Sequence, residues 1–282
     1  MFKQPITELI KMRTSWRKYA ATPIPQDLRQ EIARSFPLFS RGPAGNTVEF
    51  QFVDKEVPGS QAEARLGTYG YIVGAKTFIV GKMKHDRQRL FEDYGYVMEQ
   101  LILWLTDWGL STCWLGGTYT RSQFGRAINL RQDEIIPAIA VVGYPTRQRS
   151  LRDRLVRQIA ASKTRKPWTE LFFSGDFSTP ITPDQARPYD LPLEMVRLAP
   201  SASNKQPWRV LVTGNGCHFF IKRTPHYDRV IKGIDLQRID TGIAQCHFEL
   251  SAREAGLDGS WAVVPGAIPP VPGLEYNVSW LF

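Results

Sequence analysis

The chain has 282 residues, 43% hydrophobic and 22% charged, with a net charge of +9. This is globular composition with ample material for a core, and no run of about 18 apolar residues offers a transmembrane helix. The N-terminus has no apolar signal region, and Cys113, Cys217 and Cys246 lie far apart without CxxC or zinc spacing. A cytoplasmic protein with reduced thiols, no metal and no membrane contact is therefore expected. Dinucleotide GxGxxG, Walker A, HExxH and GxSxG motifs are absent, which counts against the enzyme classes they mark.

Elements follow along the chain. Thr22-Pro-Ile-Pro-Gln-Asp27 predicts a helix start, with Pro and Asp in the first turn. Glu49 to Val53 alternates as a strand, and Ala75 to Val80 has the character of a buried one. Tyr94 to Trp108 places Val97, Leu101, Leu105 and Trp108 on one helical face. Gly109 to Thr118 is expected to be a loop, and Ile135 to Gly143 a strand. Trp208 to Thr213 and Cys217 to Lys222 predict two strands around Gly-Asn-Gly, and Gly242 to Ala255 a further helix. Strands and helices mix without strict βαβ alternation, so the expected class is α+β.

The chain repeats itself. Asp93, Gly95, Gly109 and Trp114 recur as Asp240, Gly242, Gly256 and Trp261, each 147 residues later. Upstream, Thr22-Pro-Ile recurs at Thr179-Pro-Ile, 157 residues on, and Asn46 at Asn204, 158 residues on. The drift from 158 to 147 implies a deletion in the second copy. Two related units follow, 1–170 and a shorter 171–282.

Three clusters carry chemistry. In Arg13-Thr-Ser-Trp-Arg17, two forked guanidinium donors and a hydroxyl suit one anion, although a plain helix end would read the same way. In Leu198-Ala-Pro-Ser-Ala-Ser-Asn-Lys-Gln-Pro-Trp208, small residues let backbone amides approach a flat ligand, where an ordinary turn has no need of the whole string. Gly109-Leu-Ser-Thr-Cys-Trp-Leu-Gly-Gly117 offers backbone amides around two glycines; the bland alternative is a connection between elements. Eight basic residues and one acid lie between Arg147 and Lys166, so most of the net charge is local. A solvated face, a phosphate site and a nucleic-acid patch would each account for it, and missing aromatic interleaving argues against the last.

On these motifs the chain resembles the FMN-dependent nitroreductases. RTSWRKY with TPIP is similar to their Arg-x-Ser-x-Arg/Lys opening, and APSASNKQPW to their Pro-Ser flavin loop. GLSTCWLGG resembles the loop that faces the flavin, and Lys163-Thr-Arg-Lys-Pro167 their basic phosphate clamp. Ordinary members carry every motif in one shorter chain and dimerise around each FMN. Here the first unit has Arg41-Gly-Pro-Ala-Gly-Asn46 in place of the Pro-Ser loop. The second has Glu170-Leu-Phe-Phe-Ser174 in place of RTSWR, and Ala-Val-Val-Pro-Gly after Trp261. The resemblance therefore implies a nitroreductase-like pseudo-dimer, monomeric in solution, with one complete flavin site and one decayed.

It also implies roles. Arg13, Ser15 and Arg17 would hold the phosphate and ribityl end, and Lys163 and Arg165 would complete the phosphate shell. Leu115, Gly116 and Gly117 would lie by the flavin ring, with Pro200, Ser201, Ala202, Ser203 and Asn204 reaching in from the other unit. No protein group acts as nucleophile or general acid. NADH or NADPH would be the reductant, and a small nitroaromatic or quinone-like molecule the acceptor. Two alternatives stay open: a flavin-binding module without turnover, and a flavin-dependent oxidase or dehydrogenase of the same fold.

Overall fold

The structure, a computed structural model, describes residues 2–55, 72–85, 87–146, 164–225, 227, 231–264, 266 and 268–282. The first half contributes α1 (Ile6–Met12), α2 (Gln26–Ser35), β1 (Glu49–Asp54), β2 (Thr77–Lys84) and the long α3 (Leu90–Asp107). It continues with β3 (Ser111–Leu115), α4 (Arg121–Ala127), β4 (Glu134–Ile135) and β5 (Ile139–Gly143). The second half contributes α5 (Trp168–Leu171), β6 (Phe172–Ser174), α6 (Asp190–Leu198), β7 (Trp208–Thr213) and β8 (Gly216–Ile221). The long α7 (Leu236–Glu254), β9 (Ser260–Ala262) and β10 (Glu275–Leu281) complete it.

Each half builds one five-stranded sheet, and the sheet orders repeat. The first is β1-β2-β5-β3, with β4 beside β2; the second contains β7-β8-β10-β9, with β6 added at the outer side of β7. Trp114 on β3 and Trp261 on β9 occupy matching edge strands. All pairings are antiparallel except β6 on β7. The α+β class and the duplication expected from sequence are thus present in the topology. The expected division at 170/171 falls inside α5, whose last residue leads directly into β6.

Helix ends explain several boundaries. Pro25 precedes α2 and Asp27 sits in its first turn, as the sequence predicts. α3 and α7 stop alike. Gly109 and Gly256 adopt φ of 73° and 72°, and the next residues donate five positions back, Leu110 to the Leu105 carbonyl and Leu257 to the Ala252 carbonyl. This is the glycine-terminated helix end that needs a left-handed residue. α7 begins six residues before the expected Gly242, because Asp235 caps it by accepting from the Gln237 and Arg238 amides at 3.1 Å each.

Two expectations need correction. Gly109 to Thr118 is not all loop: Ser111–Leu115 is strand β3, paired residue for residue with β5 from Gly143 to Ile139. The Thr-Cys-Trp-Leu run has strand propensity, and an open sheet edge realises it. Ile135 to Gly143 is not one strand, since Pro137 has no N–H to extend the ladder and separates β4 from β5.

α3 and α7 cross at the centre and are buried on nearly every face. Val97, Leu101 and Leu105 are fully buried, each worth about 1.5–3 kcal/mol on leaving water. The crossing depends on two glycines. A Cβ on Gly95 would collide with the Ile239 carbonyl, and a Cβ on Gly242 with the Glu92 carbonyl. Ile239 stands 147 residues after Glu92, as Gly242 does after Gly95, so the crossing obeys the internal repeat. Among the described residues no helix is long and apolar enough to cross a membrane, no cluster could hold a metal, and no cysteine is in a disulfide.

Candidate functional site

A cavity of about 560 Å³ opens between the halves, a size ordinary for small-molecule sites. From the first half come Ser15, Arg17 and the end of β3 running into Gly116 and Gly117. The Trp16 amide donates to the Thr112 carbonyl at 3.0 Å, which lays the Ser15–Arg17 segment beside β3. Arg121 holds the glycines from below, donating to the carbonyls of Gly116 and Pro137 at 2.9 Å each. A Cβ on Gly116 would stand 2.8 Å from a Leu236 methyl, so a larger residue here would have to push that side chain aside.

The second half supplies Pro200, Ser201, Ala202 and Ser203 in one loop. Ser203, Asn204 and Gln206 all have positive φ, at 49°, 54° and 48°. Three non-glycine residues in the left-handed region within four positions require fixing from outside. The Ala202 amide donates to Asp240 Oδ1 at 2.9 Å, and the Gln206 amide to Ser201 Oγ at 2.9 Å. Tyr227 donates to Ser203 Oγ at 3.1 Å, and Asn204 Nδ2 to the Thr164 carbonyl at 3.0 Å. α7 closes the cavity with Leu236, Ile239, Asp240 and Ile243. Arg17 and Lys205 are its cations, and burial pushes the Asp240 carboxyl well above the usual carboxylate range.

The residues singled out from the sequence divide in four. Ser15, Arg17, Leu115, Gly116, Gly117, Pro200, Ser201, Ala202 and Ser203 line the cavity. Arg165 and Asn204 line an adjoining groove that shares Ser203 and Lys205 with it. There Arg165 Nη1 donates to Asn204 Oδ1 at 3.4 Å and Nη2 to the Leu198 carbonyl at 3.1 Å. Arg13 is not in the lining: it is buried behind, its Nε 3.4 Å from Glu99 Oε1, and Glu99 also accepts from Trp114 Nε1 at 2.7 Å. Lys163 lies outside the described residues, as do Arg147, Arg149, Arg152, Arg154 and Arg157 of the basic segment.

Sequence reading missed the α7 wall, Tyr227, Lys205 and Arg121. For the α7 wall the available signal was the repeat. Glu92 and Ile239, both facing the helix crossing, would have marked α7 as the partner of α3.

Residues 5–252 match the family described as "Putative TM nitroreductase". Among solved structures the chain is similar to a putative nitroreductase from Thermotoga maritima MSB8, at 22% identity and a TM-score of 0.62, over 100% of this chain and 95% of that one. A nitroreductase family protein from Clostridium difficile 630 is 17% identical over 58% of this chain and 94% of its own, with a TM-score of 0.44. An NADPH:FMN oxidoreductase from Vibrio harveyi complexed with NAD+ is 22% identical over 51% of this chain and 70% of its own, with a TM-score of 0.39. No curated protein matches. With its topology duplicated around one cavity and its sequence matched from residue 5 to 252, the chain belongs to this nitroreductase family.

Proposed function

We propose that the chain binds one FMN in the inter-half cavity and acts in the cytoplasm as an FMN-dependent oxidoreductase. It takes electrons from NADH or NADPH and gives them to small nitroaromatic or quinone-like acceptors. One observation carries this reading: residues of three distant sequence clusters, around Ser15, Gly116 and Ser201, meet in a single cavity. The fit is chemical as well. Gly116 and Gly117 border the cavity with no side chain over their backbone, so a flat ring could approach it. Leu236, Ile239 and Ile243 offer an apolar wall for its other face. Arg17, Ser15 and Lys205 supply donors for an anionic tail, with Arg165 and Asn204 at the adjoining groove.

FMN, when bound, supplies two-electron hydride chemistry at its ring, and the protein binds and tunes it. Arg17 and Lys205 stabilise negative charge in a site partly screened from water. Arg13 fixes the segment before Ser15 through Glu99, from behind the wall. Ser201 and Tyr227 hold the second-half loop against the cavity. No side chain is required as nucleophile or general acid, and one cavity serving reductant and acceptor in turn gives ping-pong kinetics.

The purified protein is expected to be yellow with close to one FMN per chain, and monomeric on sedimentation at several concentrations. Parallel double-reciprocal lines are expected for NAD(P)H and quinone. Failure to bind added FMN would remove the assignment. Two FMN per chain would refute the single complete site. FMN lost on dissociation of a dimer would mean that Ser201 and Asn204 serve a neighbouring chain's cofactor.

A further inference from the structure

The internal repeat supplies a control for one residue of the cavity wall. Asp93 and Asp240 are equivalent, 147 residues apart, and each faces an equivalent loop: Ala44 and Asn46 in one half, Ala202 and Asn204 in the other. One contact is identical in both. The Ala44 amide donates to Asp93 Oδ1 at 2.9 Å, and the Ala202 amide to Asp240 Oδ1 at 2.9 Å. The other oxygen differs. Asp93 Oδ2 accepts from the Asn46 amide at 2.9 Å and from Asn46 Nδ2 at 2.8 Å. Asp240 Oδ2 is buried and, among the described residues, has no hydrogen-bond partner. Its natural donor, Asn204, has its side chain committed to the Thr164 carbonyl, Arg165 and Gln206.

A buried polar atom without a partner costs about 1–3 kcal/mol. The fold can satisfy this carboxyl, as Asp93 demonstrates, and at Asp240 it does not. Asp240 is also the member of the pair that lines the cavity, with only 3% of its surface exposed.

We infer that Asp240 is a ligand-binding residue whose Oδ2–H donates a hydrogen bond to an acceptor atom, a ring carbonyl or ring nitrogen, of the flavin bound in the cavity. This rests on the FMN reading above. The groups around Asp240 agree with a donor. Burial, and then Asp235 at the start of its own helix, favour the protonated form, against the single amide of Ala202. Tyr227 across the cavity is itself held protonated by burial. Arg17 and Lys205 also line the cavity, and Glu92 faces the same helix from α3 through its carbonyl at Gly242. Among the described residues no cation pairs with Asp240. A donor here would stabilise the electron-rich reduced ring without placing a second negative charge beside it.

The test uses the full chain with added FMN, read by fluorescence quenching from acid to alkaline pH. Asp240→Asn keeps an oxygen for the Ala202 amide and a neutral N–H donor for the ligand. It is expected to bind FMN within about twofold of wild type at acid pH, whereas Asp240→Leu weakens binding by about fivefold or more. Wild-type affinity falls as pH rises through the Asp240 titration, and the Asn variant removes that fall. In infrared difference spectra, a protonated carboxyl band absent from Asp240→Asn shifts when FMN binds. A band unmoved by FMN, or the same pH profile in wild type and the Asn variant, would overturn the role of Asp240 and leave FMN binding intact. Wild type that binds no FMN at any pH would instead overturn the reading on which it rests. Near-UV circular dichroism of Asp240→Leu separates lost binding from lost folding.

Discussion

The two faces of the α3–α7 crossing share a backbone and differ in chemistry. On the cavity side, α7 presents Leu236, Ile239 and Ile243. The residues 147 positions earlier are Arg89, just before α3, and Glu92 and Tyr96 on it. They are tied to the protein itself. Arg89 donates to the Asn277 carbonyl and side chain, and Asn277 Nδ2 donates to Glu92 Oε1 at 2.7 Å. Arg238 also donates to Glu92 Oε1, at 2.6 Å, and to Glu275, while Tyr96 donates to Glu249 Oε2 at 2.9 Å. Val263 and Val264 stand where the first half has Gly116 and Gly117. One face is apolar and open. Its twin is filled by a hydrogen-bonded charged network of the protein's own groups, in which Glu92 Oε2 is left without a partner among the described residues. A duplicated interface can therefore keep its packing while only one copy keeps the wall for a flat ring.

Several measurements would break or sharpen this contrast. The largest effect is expected where the faces are alike. Gly95→Val and Gly242→Val should each destabilise by on the order of 3 kcal/mol or more in urea unfolding, because backbone rather than a yielding side chain blocks the new Cβ. Markedly unequal losses would mean that the crossing is not shared equally by the copies. Next comes Asp93→Asn, expected to cost about 2 kcal/mol, since one amide oxygen cannot serve the three donors now held by two carboxylate oxygens. Asp240→Asn should cost much less. A reversed order would show Asp240 to be the more tightly satisfied of the pair.

Grafting one face onto the other gives a smaller effect. Leu236→Arg, which copies Arg89, should leave the fold intact and weaken FMN binding by about tenfold, close to 1.4 kcal/mol. Unchanged affinity would show that the α7 wall does not meet the ligand. The smallest effect is a slope. Burial raises the Asp240 carboxyl above the unfolded value near 4. Folded protein then holds a proton that unfolded chain releases, so this contribution is full below about pH 4 and is lost as pH rises toward the folded value. The melting temperature of Asp240→Asn minus that of wild type should therefore increase with pH above about 4. A flat difference would mean that Asp240 is ionised in the fold.

What the sequence determined by itself was the repeat and the pooling of motifs. Identical spacings at Asp93/Asp240, Gly95/Gly242 and Gly109/Gly256 exposed the duplication: Gly109 and Gly256 are dictated by local helix-end geometry, and Gly95 and Gly242 recur because one crossing demands them twice. Periodicity placed α3 and β1 well, and Ser15, Gly116 and Ser201 were legible as one site through complementary motifs. Tertiary structure decided the rest. The strand at Ser111–Leu115 exists because β5 offers an edge to pair with, and no local pattern contains that edge. Arg13 faces Glu99 and not the cavity, a choice made by a helix that comes 86 residues later in the chain. Leu236, Ile239 and Asp240 became a cavity wall only when α7 crossed α3, and the open oxygen of Asp240 depends on where a loop 36 residues upstream sends the side chain of Asn204. Burial and hydrogen-bond satisfaction are properties of neighbours in space, so two aspartates in matching sequence positions could carry opposite roles until both sets of neighbours were in place.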